Sequence, residues 1–155
     1  MFDNKKMILT YSIGIAFIVA SMAVTYGLDK KSLFDPYIEM LTPEEKNRYD
    51  AIVQERRRIY LTGFSLGLIV ALLVILFVKN LTPMMAMGIG VALVGAISYF
   101  YYILTPKSDY MIQYLDEKEE RKAWWKIYRT LQFYYHFAFM LGLAGSMLLF
   151  YGIKT

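Results

Sequence analysis

The chain has no cysteine, which excludes disulfides, thiolate metal ligation and cysteine nucleophiles and leaves the redox compartment open. Its one histidine, His136, cannot supply paired-histidine haem ligation or a histidine-rich metal centre. Charged residues make up only 19% of the 155 residues and apolar ones 57%, an imbalance foreign to ordinary soluble domains. Within four apolar runs, Met7–Leu28, Ile59–Val78, Pro83–Leu104 and Leu131–Ile153, there is no Asp, Glu, Lys or Arg at all. A charge at the centre of a bilayer costs at least ~2.5 kcal/mol and is kept for ion pathways and proton relays, so this absence argues against a pump or an ion-coupled transporter. The net charge of +4 is spread among acids rather than gathered on a basic face, which argues against nucleic acid as a partner.

What the sequence does have is length without interruption. Each apolar run is long enough to span a bilayer. The first, behind Lys5 and Lys6, has a cleavable signal peptide as its rival, but its apolar stretch exceeds a typical signal core, so it reads as a retained span. Thr42-Pro43-Glu44-Glu45 is a helix start: Thr42 caps, Pro43 suits the first helical position and Glu45 closes a capping box. Tyr49, Ile52, Val53 and Tyr60 follow at helical spacing, and no breaker intervenes before Val78. Lys79–Pro83 is a tight turn, and Thr105-Pro106 ends the third span. Asn80-Leu81-Thr82 matches a glycosylation sequon but sits too close to the membrane for use. Asp116 then reads as a cap with Glu119 at the third position. Asp116–Ile153 as one helix would be about 57 Å long, roughly 30 Å of it matching the hydrocarbon core.

The reading is therefore an all-α, single-domain integral membrane protein: a four-transmembrane-helix bundle of two helical hairpins. Its second and fourth helices extend as stalks over residues 42–58 and 116–130. The halves match as a parallel repeat, with Pro36, Tyr37 and Leu41 against Pro106, Tyr110 and Leu115, Thr42–Glu45 against Asp116–Glu119, and Ile59–Thr62 against Ile127–Thr130. Lys5, Lys6, Lys79 and Lys154 lie on the side of the termini, and the other 13 of 17 basic residues lie on the loop side. The positive-inside rule then makes the stalks cytoplasmic and the termini lumenal. Arg56, Arg57 and Arg58 beside the second span, with Trp124, Trp125 and Tyr128, mark the interface.

No cofactor, metal site or catalytic pair emerges. His136 between aromatics could touch a metal or quinone, but a single boundary histidine ordinarily hydrogen-bonds a neighbouring helix or a lipid headgroup. Met84, Met85 and Met87 read as adaptable packing. Gly63 and Gly67, the Gly88, Ala92 and Ala96 face, and Ala138 with Gly142 are spaced for close helix packing, within the chain rather than between copies. The stalks offer charges of both signs for a protein partner: Glu44, Glu45, Arg48 and Glu55 on one, and Asp116, Glu117, Glu119, Glu120, Arg121 and Lys122 on the other.

Pro106-Lys107-Ser108-Asp109-Tyr110-Met111, followed by Trp124, Tyr128, Gln132, Tyr135 and His136, resembles small multi-span membrane proteins of nucleocytoplasmic large DNA viruses. Glu55-Arg56-Arg57-x-Ile59-Tyr60 extends the likeness. The resemblance implies a virion component in an inner membrane derived from the endoplasmic reticulum, with stalks facing the capsid; it supplies no catalytic residues. The expected function is thus structural, anchoring capsid proteins to the bilayer. The rival is an accessory subunit of a respiratory or transport complex in an organellar inner membrane.

Overall fold

The computed structural model describes residues 2–152, which lie in helices and their connections: α1 (Phe2–Tyr26), α2 (Lys30–Met40), α3 (Pro43–Phe77), α4 (Pro83–Leu104) and α5 (Lys118–Tyr151). One turn of 3-10 helix, Met111–Gln113, interrupts the connector before α5. Four helical segments are long and apolar enough to cross a membrane: Asn4–Met40, which takes in α1 and α2, then α3, α4 and α5. The expected end of the last span at Ile153, and Lys154 behind it, lie outside the described residues.

Local chemistry sets most of the boundaries. The Thr42 hydroxyl accepts from the Glu45 N–H at 3.3 Å, and the Glu45 carboxylate accepts from the Thr42 N–H at 2.7 Å, so the capping box forms as the spacing predicts. Thr82 caps α4 by accepting from the Met85 N–H at 3.3 Å, and Pro83 takes the first helical position. Asn80 provides the positive φ of 63° that reverses the chain between α3 and α4.

Three expectations need correction. Residues 30–40, part of the polar linker between the first span and Thr42, form a helix, α2. Asp29 accepts from the Ser32 N–H at 3.2 Å, and Leu33, Phe34, Tyr37 and Ile38 share one apolar face. Pro36 sits inside this helix; its lost hydrogen bond is offset by the apolar surface that α2 buries. The α5 cap is Glu117, not Asp116, with Glu120 in place of Glu119 as its capping-box partner. The cause is Arg121, whose guanidinium donates to the Leu115 and Asp116 carbonyls at 2.8 and 2.9 Å and holds that segment out of the helix.

The third correction concerns pairing. α1 packs along α5 and α3 along α4, with α4 also against α5. Each span thus leans on the long helix of the other half, and the sequential α1–α3 hairpin is not among the main contacts. The linkers follow the same exchange, α2 packing on α5 and the 3-10 turn on α3. The two long helices match at one constant offset once the true caps are used: Thr42 with Glu117, Glu45 with Glu120, Tyr49 with Trp124, Ile52 rather than Ile59 with Ile127, Gly63 with Ala138 and Gly67 with Gly142.

Within the apolar region the helices meet backbone to backbone. A Cβ on Gly67 would lie 3.0 Å from Val94 Cα, and one on Gly145 would lie 2.7 Å from the Gly14 carbonyl oxygen. Gly63 faces Tyr101, Gly88 faces the Ser146 carbonyl and Leu149, and Gly142 faces Ser21, whose hydroxyl donates to the Ala138 carbonyl at 2.8 Å. Ala92 lines a shallow apolar groove with Gly88 and Ser146, and Ala96 is half-buried beside it on α4. Lipid tails are as apolar as these helices, so close van der Waals approach rather than water exclusion holds them.

Candidate docking head

The amino-terminal parts of α3 and α5 do not stand apart as bare rods. With α2 and the connector before α5 they enclose a core of their own: Tyr37, Leu41, Ile52, Met111, Leu115 and Ile127 are all buried. Tyr37 is 1% exposed and joins three helices. Its ring lies 6.0 Å from Tyr49 on α3 and 5.4 Å from Trp124 on α5, while Tyr49 and Trp124 meet edge to face at 6.4 Å. Trp124 is therefore a core residue of this head rather than an interfacial one. Its neighbour Trp125 is exposed and stacks on Tyr128 at 6.2 Å, as a boundary pair would.

The connector is tied to α3 by charge. Glu55 accepts from the Ser108 N–H at 2.9 Å and pairs with Arg56, which also donates to the Asp109 carbonyl and lies 5.4 Å from the Tyr110 ring. Asp109 accepts from the Tyr114 hydroxyl at 2.9 Å, and the Arg48 guanidinium sits 4.2 Å over the Tyr114 ring while pairing with Glu44 at 3.5 Å. The Ser108 N–H, joined by the Ser108 side chain and Arg56 against a desolvation cost, holds the Glu55 carboxyl below its usual range. Hydrogen bonds from Thr42 do the same for Glu45. Burial, with Tyr49, Glu45 and Glu120 nearby, pushes the Tyr37 hydroxyl well above its ordinary value.

These contacts divide the expected docking residues. Glu45, Glu55, Glu117, Glu120 and Arg121 are committed to caps and to the connector, and Glu120 is buried. Glu44, Asp116, Glu119 and Lys122 face outward, with Glu119 and Lys122 paired at 2.8 Å, and Arg48 bridges the two groups. Lys118 is exposed beside them. The arginine run also divides: Arg56 turns into the head, while Arg57 and Arg58 stay exposed. His136 is exposed, its Nδ1 lies 2.7 Å from the Gln132 carbonyl of its own helix, and its ring meets Tyr99 edge-on at 5.6 Å. No family model, curated protein or solved structure matches this chain.

Glu55→Gln tests the tie directly. A depressed carboxyl contributes stability that is present above its unfolded-state value and lost as pH falls through its folded-state value. Acidification from about pH 7 to about pH 3 should therefore cost the native chain roughly 1 kcal/mol more than the variant, a figure kept small because the pair stands partly in water. Unfolding temperature against pH, measured on both proteins in detergent, gives the difference.

Proposed function

We propose that this protein is a structural multi-pass membrane protein whose head anchors a protein lattice to the bilayer. The observation that carries the reading is the head itself: a preformed, separately packed unit on top of apolar helices, presenting outward charges of both signs from Glu44, Asp116, Lys118, Glu119 and Lys122. A rigid charged surface held at a fixed height suits binding by electrostatic complementarity without ordering cost. The basic residues flanking the spans favour a cytoplasmic head. The resemblance to viral membrane proteins supplies the setting: a virion inner membrane with the head towards the capsid. The matched register of the two long helices supports a parallel duplication as the origin of the fold.

The test uses exposed side chains whose one ion pair, Glu119 with Lys122, the exchange keeps in reversed sense. Lys118→Glu, Glu119→Lys and Lys122→Glu together should weaken attachment of the lattice protein tenfold or more, read by cosedimentation with membranes from the native particle. Membrane insertion and unfolding temperature should stay unchanged. Full attachment by the variant overturns the reading, as does recovery of respiratory subunits in place of lattice protein.

A further inference from the structure

Of the three successive arginines, two have no acidic partner among the described residues. Arg56 takes Glu55, the one acid within a helical turn of Arg58, and turns with it into the head. Arg57 and Arg58 are exposed at the point where α3 becomes apolar. Below them, on the face opposite the buried Ile59, Gly63 and Gly67, runs a groove of about 540 Å³ lined by Arg57, Arg58, Leu61, Ser65, Leu66 and Ile69. Leu61 and Ile69 are 49% and 54% exposed, so the groove floor is apolar and uncovered. Two free guanidiniums above an apolar channel are complementary, in charge and in order along the helix, to one amphiphile: a phosphate head above a hydrocarbon tail.

We infer that this face of α3 is a binding site for an anionic glycerophospholipid, its headgroup phosphate held by Arg57 and Arg58 and one acyl chain laid along Leu61, Leu66 and Ile69. A guanidinium fork fits a phosphate through two parallel N–H bonds, which distinguishes it from a lysine at the same height. The matching stretch of α5 carries Gln132 and Phe133 at the positions of Arg57 and Arg58, so the site belongs to one half only. The inference requires that α3 span a bilayer and is independent of what the head binds.

Native mass spectrometry of the full chain, released from nanodiscs of equal phosphatidylserine and phosphatidylcholine, provides the test. One phosphatidylserine should stay bound to the native protein in preference to phosphatidylcholine. Arg57→Gln with Arg58→Gln should weaken its retention roughly 30-fold, since each basic side chain at an anionic surface contributes a factor of about five. Lys118→Gln with Lys122→Gln, which removes the same charge from the head, should leave retention unchanged. Equal retention of the two lipids by the native protein overturns the inference without reference to any variant. Equal loss in the two double variants, or displacement of the lipid by millimolar inorganic phosphate alone, overturns it as well.

Discussion

Replacing Gly145 with alanine lowers the unfolding free energy of the detergent-solubilised protein by about 3 kcal/mol, or roughly 6–12 °C in unfolding temperature, whereas Gly95→Ala leaves it unchanged or slightly higher. The added methyl group is the same, and so is its benefit to helix propensity, worth up to about 1 kcal/mol. Only the surroundings differ. At Gly145 a Cβ would meet the Gly14 carbonyl oxygen at 2.7 Å, Ile18 Cγ1 at 2.8 Å and the Ile18 nitrogen at 3.1 Å, and two of those atoms are backbone that cannot swing aside. At Gly95 a Cβ would meet nothing within 4 Å. Relief requires α1 and α5 to part, which breaks the Ser21–Ala138 hydrogen bond and opens the contact along much of its length. Thermal unfolding of both variants, with intact insertion checked by protease protection, decides the point. A Gly145→Ala protein as stable as the native one would mean that α1 does not pack there.

The features legible in the sequence are those decided within a few residues. Thr42-Pro43-x-Glu45 and Thr82-Pro83 start helices because a hydroxyl three residues ahead of an amide closes the cap, whatever else surrounds it. The four apolar helices are legible for the same reason, since length and absence of charge are local properties. Gly63 and Gly67 announce close packing by their spacing alone, although their partners on α4 do not follow from it.

The illegible features rest on contacts between distant parts of the chain. Glu117 replaces Asp116 as the α5 cap because Arg121 folds back onto the Leu115 and Asp116 carbonyls, and either acid alone would satisfy the capping pattern. Glu55 looks like one more solvated stalk charge until the Ser108 amide arrives from the other half of the molecule. Pro36 masks a helix because proline is rare in helix interiors, yet Leu33, Phe34, Tyr37 and Ile38 carry the helical spacing that reports α2. The head is hidden with that helix: α2 supplies Tyr37 and Leu41 to the core that buries Ile52 and Ile127, and without them the stalks look bare. The backbone approach of Gly14 and Gly145 is illegible for a similar reason, since the residues four places after them, Ile18 and Leu149, are large.

Truncating Tyr37 to alanine should cost about 3–5 kcal/mol, the range for emptying a buried aromatic site, while Tyr37→Phe should be neutral or stabilising. The two variants separate shape from polarity at the centre of the head. The Tyr37 ring meets both Tyr49 and Trp124, so its loss removes the central contact of α2 and opens a cavity between α3 and α5. Its hydroxyl, by contrast, is buried and finds no hydrogen-bond partner among the described residues, so removing it ends a desolvation cost rather than an interaction. Equilibrium unfolding in detergent by tryptophan fluorescence reads both effects, because Trp124 lies against the substituted ring. The helix packing at Gly67 and Gly145 lies elsewhere, so Tyr37→Ala should insert normally and, on the proposed anchoring role, fail to hold a lattice protein. A Tyr37→Ala protein that inserts, loses the head's stability and attaches as well as the native chain would show that docking needs no preformed surface. A Tyr37→Phe protein destabilised by as much as the alanine variant would show instead that the hydroxyl has a partner.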